Sequence, residues 1–353
     1  MKCLPVSKIA QSNGVGIHDW HAEILAIRTF NRFLLDECQS LLEKEDKPSI
    51  LQRKKHMSNS DGVSLQSFEI KDDVKLHMYC SEAPCGDASM ELTMAAQEDA
   101  SAWKTPTRTP DPNVGISLLG RACFSRTGIV RRKPARGDAP PTLSKSCSDK
   151  IALKQCTSLL SALTSLFIDT TNAYIHTIVL PESQYSHAAC KRAFSAEGRL
   201  KPLAGKVWLG GYSFKEFSTL TTGLEFEFSK IAVKARADKI SASNLAATWS
   251  SSGFEENTIG GVVQGRKAFN TNAASRTSRR SMWEAASDLA DRLGVGCPIT
   301  ALYLKSSTYR DMKQGQLLAD RRRVKEEARE VALVGWIRND GGSDFQLEKR
   351  SNH

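Results

Sequence analysis

A chain of 353 residues can bury a full core, and a composition 40% hydrophobic and 25% charged excludes a fibre or a wholly disordered polymer. The formal charge of +10 and a pI near 9.1 favour a polyanionic partner, because lysine and arginine gain free energy by releasing counterions from phosphates. No run of about 18 apolar residues is present to form a membrane-spanning helix, and Met1-Lys2-Cys3-Leu4-Pro5 lacks the apolar core of a secretory signal, so an intracellular location, cytoplasmic and/or nuclear, is expected.

Asn13-Gly14-Val15-Gly16 signals a turn, after which Asp19 is placed to cap a helix by accepting from its free amides. Ile24, Ile27, Phe30, Leu34 and Cys38 recur at helical spacing and predict an amphipathic helix packed on the core. His21 and Glu23 stand at its start. Residues 43–61 are polar and charged without a period and read as a solvent-exposed insertion. Val74, Leu76, Met78 and Cys80 alternate with Lys75, His77 and Tyr79, the pattern of a strand. A turn through Ser81 to Asp87 leads to a short helix predicted over 88–96, which places Cys85 where free amides favour a thiolate. Three prolines mark 105–113 as a loop.

The stretch 128–141 is basic and runs into a second helix predicted over 151–167. Strands are expected over 173–180, 207–212, 224–228 and 258–263, and helices over 283–293 and 317–336, the last with a partly kept period. Cations cluster at Arg131-Arg132-Lys133 with Arg136, at Arg276 with Arg279-Arg280, and at Arg321-Arg322-Arg323 with Lys325. The nine cysteines, odd in number and mostly in apolar stretches, fit reduced thiols better than a disulfide framework. Helices and strands alternate through one continuous core with no internal repeat, an α/β chain.

A histidine and a glutamate two positions apart at a helix start, with a later proline-cysteine, is how one class of zinc enzymes brings together a metal ligand and a proton shuttle. Taken singly, His21 reads as a satisfied structural histidine and Pro84-Cys85 as a turn with a buried thiol. A catalytic zinc takes three protein ligands and leaves a fourth position for water. His21, Cys85 and the distant Cys147 would supply such a set, each at a predicted helix start, although spacing alone does not identify the third ligand.

His21-Ala22-Glu23-Ile24, Ala83-Pro84-Cys85-Gly86-Asp87-Ala88-Ser89-Met90 and Ser146-Cys147-Ser148-Asp149-Lys150-Ile151-Ala152 resemble the three deaminase blocks of the RNA adenosine deaminase family. Lys2-Cys3-Leu4-Pro5, Phe30 to Leu34 and Arg131 to Pro141 look most like its tRNA branch, particularly the fungal members. The resemblance implies a cytidine-deaminase-like three-layer α/β fold, a mixed central sheet flanked by helices with a C-terminal extension. It implies hydrolysis of adenosine to inosine at position 37 of alanine tRNA, with no DNA or membrane and no obligate protein partner. Zinc is then held by His21, Cys85 and Cys147, and Glu23 is the general acid/base. Lys133, Gly137 and Asp138 match a substrate loop. Inositol hexakisphosphate, buried in the family's core, is matched by Arg28, Lys150, Arg279, Tyr309 and Lys313, with Lys133 linking it towards the zinc and Trp249 and Trp336 as wall residues.

The sequence departs from the family pattern at Ile27, where an arginine is usual, and at Leu153-Lys154, where Arg-Trp is usual. Family domains also carry a helix and strand ahead of the Lys2-Cys3 position. The expectation is a single deaminase domain over 1–353 without that edge. The competing readings are a double-stranded-RNA editing enzyme and a catalytically impaired, polyphosphate-containing RNA-binding protein.

Overall fold

The computed structural model describes residues 2–44, 47–54, 66–96, 118–120, 124–133, 139–240, 243–294, 298–339 and 341–347. The short helix α1 (Val6–Ile9) leads to α2 (Ala22–Glu43), strands β1 (Leu51–Arg53), β2 (Phe68–Ile70) and β3 (Leu76–Tyr79), and α3 (Met90–Ala95). Then come β4 (Leu118–Leu119), β5 (Arg131–Arg132), α4 (Cys147–Thr157), β6 (Ile175–Pro181), α5 (His187–Phe194), β7 (Ser218–Thr222) and α6 (Lys230–Lys234). The strands β8 (Leu245–Ser250), β9 (Phe254–Ile259) and β10 (Val262–Val263) precede four C-terminal helices, α7 (Arg279–Leu293), α8 (Pro298–Leu304), α9 (Tyr309–Gln314) and α10 (Ala319–Val331).

Strands β3, β6 and β7 form a parallel sheet with β6 in the middle, and β8, β9 and β10 form an antiparallel one. Parallel strands need crossover connections, and here α4 and α5 lie in the crossovers of the β3-β6-β7 sheet. This is the α/β arrangement of sheets flanked by helices, with a helical C-terminal part.

α2 is the spine, because it holds neither glycine nor proline and repeats apolar residues on one long stripe. Leu34, Leu35 and Cys38 enter an apolar cluster with Phe68, Phe167 and Trp283, whereas Ile27 enters a second one around Ile151, Ile178, Phe194 and Val324. The N-terminus of α2 is thereby fixed rigidly, and His21 is its N-cap.

Several predicted elements are relocated. The second helix starts at Cys147, because Ser146 caps it by accepting from the Asp149 amide at 3.1 Å, and it stops where Ser158 takes φ 57°. Residues 207–212 form a turn closed by a single Val207–Ser213 bridge, and the strand lies at β7, so neither 207–212 nor 224–228 is a strand. The 258–263 run is a hairpin, bent at Gly260-Gly261 with both φ values positive. The polar stretch 43–61 contains β1, whose Leu51 is buried and pairs with Ile70. The last helix ends at Val331 rather than 336. The predicted loop 105–113 lies outside the described residues.

Candidate metal centre and polyanion cavity

His21 sits just before α2 with its Nδ1 2.9 Å from Asp19 Oδ1 and 3.8 Å from Cys3 Sγ. Asp19 does not cap the helix as the sequence suggested. Its Oδ1 also accepts from the His21 amide at 3.1 Å, and its Oδ2 accepts from Lys133 Nζ at 2.8 Å, Ser144 Oγ at 2.9 Å and Lys150 Nζ. Burial would push this carboxyl up, yet Lys133 and Lys150 outweigh it and hold it well below the carboxylate range. A carboxylate on Nδ1 fixes the tautomer and leaves Nε2 to bind a ligand, the usual support of a metal-binding histidine.

Among the described residues, Cys3, Asp19 and His21 bring their donor atoms within 4.8 Å of one another. Asp19 is already committed to two lysines and the ring, so this cluster holds the histidine from its Nδ1 side.

Cys147 is the first residue of α4, and its amide points at Cys85 Sγ, 3.4 Å away. The loop between β3 and α3 is bolted to α4 by Ser148, whose Oγ donates towards the Pro84 and Cys85 carbonyls and accepts from the Ala88 amide at 3.1 Å. Gly86 has φ 106°, and a Cβ there would meet Ser146 Oγ at 2.2 Å, so only glycine lets the two cysteine segments close together. Cys147 also donates to Cys85 and, against the effect of burial, holds that thiol well below its usual range, with Lys133 and His21 acting the same way. Lys133 Nζ lies 3.1 Å from Cys147 Sγ.

Glu23, in the first turn of α2, feels both cysteines, Lys133 and His21 electrostatically. Burial first, then Cys85, pushes its carboxyl up. Among the described residues, the group of donor atoms within 4.8 Å that holds His21 includes neither Cys85 nor Cys147; an imidazole, two thiols and a carboxylate are nonetheless donor types suited to a catalytic zinc.

Behind Asp19 lies a cavity of about 500 Å³ lined by Lys150, Arg279, Tyr309, Lys313, Lys325 and Trp336, among others, and continuous in its lining with a second of about 290 Å³ that includes Lys154. Arg28 reaches the wall by donating from Nε to the Thr277 carbonyl at 2.9 Å, and Arg279 by donating to Gly342 and Ser343. Tyr309 is stacked on Phe345 at 5.2 Å, and Trp336 lies under Arg329 at 5.1 Å. Burial and the neighbouring Arg321 and Arg279 push Lys313 down to about 7, and burial with Arg279 pushes Arg28 down to about 10. Burial, then Lys313 and Arg321, holds Lys325 well below the lysine range. Cations gathered this densely repel one another unless an anion sits among them.

All five residues matched to the polyphosphate line this one cavity. Trp249 does not: it is 70% exposed on β8, against a different groove. Lys133 belongs to the metal centre and its adjoining network, while Gly137 and Asp138 lie outside the described residues. Asp19, Cys3 and Ser144 were not singled out as site residues, since a lone turn aspartate carries no signal of its partners. Arg321 and Lys325 were visible only as a basic run; the turn of α10 directs them inward.

The model of the adenosine-deaminase (editase) domain matches residues 1–340. The chain is 32% identical over 351 residues to tRNA-specific adenosine deaminase 1 of Schizosaccharomyces pombe, covering 98% of this chain and 82% of that protein. It is 37% identical over 171 residues to the Saccharomyces cerevisiae protein of the same name, 46% of this chain and 40% of that one. With the double-stranded RNA-specific editase Adar of Drosophila melanogaster it shares 28% identity over 193 residues, 51% of this chain and 26% of that one.

Proposed function

Because the chain belongs to the adenosine-deaminase (editase) domain family, we propose that it hydrolyses adenosine to inosine in tRNA, at position 37 of alanine tRNA. The observation that carries this reading is the 3.4 Å approach of the Cys147 amide to Cys85 Sγ, with His21 and Glu23 electrostatically coupled to Cys85, in a chain related along its length to a tRNA-specific deaminase. His21, Cys85 and Cys147 would hold a zinc ion there, which would supply the Lewis acidity that makes a water acidic near neutral pH.

The chain's own residues do the rest. Glu23 accepts a proton from the water that attacks carbon 6 and delivers it to the adjacent ring nitrogen. It then carries a second proton to the departing amino group, so that water and adenosine become inosine and ammonia. Asp19 keeps the His21 ring in place, and Lys133 balances the charge of Cys147. An anticodon loop already exposes unstacked bases, so extruding the target costs less there than in a duplex.

The cation-lined cavity fits a compact polyphosphate, and we assign inositol hexakisphosphate to Arg28, Lys150, Arg279, Tyr309 and Lys313, with Lys154 standing near the place of the missing arginine. Lys150 donates to Asp19, joining that cavity to the metal centre. Incubating the protein with alanine tRNA and with duplex RNA and mapping inosine tests the function. Inosine at position 37 is expected; inosine in duplex RNA alone would overturn the substrate. Mass spectrometry of the denatured protein should release inositol hexakisphosphate, and its absence would refute that assignment.

A further inference from the structure

Residues 224–239 present an unusual surface. Leu224 is 78%, Phe226 47% and Phe228 67% exposed, and Ile231 on α6 is exposed as well. Apolar side chains concentrated in this way on a surface mark a binding site more often than a solvated loop. The segment is not loosely attached. The Lys230 amide donates to Glu82 Oε1 at 2.7 Å, Tyr79 Oη donates to the Leu224 carbonyl at 3.4 Å, and Ser183 Oγ donates to Glu225. Glu82 lies three residues before Cys85, on the loop that carries this cysteine into the metal centre. The aromatic segment is therefore fastened to the rim of the site.

The chemistry of the surface narrows its occupant. The rings of Phe226 and Phe228 stand 5.7 Å apart, with the Arg236 guanidinium 5.7 Å from the Phe228 ring. Of the three acids in the stretch, Glu225 is engaged by Ser183 and Glu227 is paired with Arg236 at 3.3 Å. Lys230, Lys234 and Lys239 are exposed and make no ion pair among the described residues. Exposed rings interleaved with uncommitted cations suit a single-stranded nucleic acid, whose bases stack and whose phosphates are neutralised.

We propose that residues 224–239 form a stacking platform for unpaired bases of the RNA substrate beside the target adenosine. Phe226 and Phe228 take the bases, and Lys230, Lys234 and Lys239 take the phosphates. The proposal rests on the RNA-deaminase reading above and adds a surface that binds the loop around the extruded base.

Two double variants test it: Phe226→Ala with Phe228→Ala, and Phe226→Tyr with Phe228→Tyr. Because both rings are exposed, melting temperature should stay unchanged, which separates lost binding from lost folding. Fluorescence anisotropy with alanine tRNA and its anticodon stem-loop, in a Glu23→Ala background, reads binding without turnover. The alanine pair should weaken binding on the order of ten- to a hundredfold, by the size of base stacking on aromatic rings. KM should rise by a similar factor in the active background, kcat should move far less, and the tyrosine pair should restore both. Unchanged binding and KM would overturn the platform, as would equal loss in the tyrosine pair. A wild-type dimer that the alanine pair converts to monomer, with tRNA binding intact, would assign the rings to a second copy instead. Wild-type protein that binds tRNA through these rings yet forms no inosine would refute the deamination reading and leave the platform standing.

Discussion

Asp19 accepts from His21, Lys133, Ser144 and Lys150, and its substitution separates holding a ligand ring from supplying a ligand. Asp19→Asn keeps the shape but removes the charge that faces two lysines. Metal affinity, read by competition with a chelator, should fall about ten- to a hundredfold, as for other supports of ligating histidines. Unchanged affinity would mean that the ring is held by packing. His21, Glu23 and Cys85 stand out by spacing and helix starts, whereas Cys147 is singled out only by the family resemblance. Asp19 was not legible, since its partners come from 125, 131 and 114 residues away along the chain, separations that no local pattern records.

At the scale of elements, Asp87 clasps three segments. Its buried carboxylate accepts from the Gly128 amide at 2.7 Å and from Arg192 Nε on α5 at 3.1 Å, and Arg192 also reaches Glu91. The clasp fastens the loop after Cys85 to the segment that leads through β5 towards residues 134–138. Asp87→Asn should lower melting temperature modestly, because Arg192 keeps Glu91 but loses its buried partner, at a cost of about 1–3 kcal/mol. A thermal melt that does not move would contradict this. Elements with a strong period, above all α2, were predicted closely. Predicted ends failed where a side chain decided them: Ser146 starts α4 four residues early, and the Gly210-Gly211 and Gly260-Gly261 turns break apolar runs that read as single strands. The period of α10 was blurred for a functional reason, because positions that would face a core carry Arg321 and Lys325 into a cavity instead.

At the scale of the whole molecule, the charge of +10 divides into surface cations and an internal set that only an anion can make comfortable. Lys313 titrates near 7 in the folded protein without an anion, against the usual 10.5. Between those values the unfolded chain binds a proton that the folded protein lacks, so stability should rise with pH from about 7 to about 10.5. Melting curves across this window should show that rise in stripped protein. Protein reloaded with inositol hexakisphosphate should melt higher and respond less to pH, and identical curves for the two forms would argue against an internal polyanion.

The central claim is that His21, Cys85, Cys147 and Glu23 form one deamination centre in which metal holding and proton transfer are separate duties. Zinc content and inosine in alanine tRNA, measured side by side for wild type, His21→Ala and Glu23→Ala, test this directly. Wild type should hold about one zinc per chain and form inosine, His21→Ala should lose both, and Glu23→Ala should keep the zinc while losing the inosine. Inosine formed by Glu23→Ala at the wild-type rate, or full zinc in His21→Ala, would contradict the account.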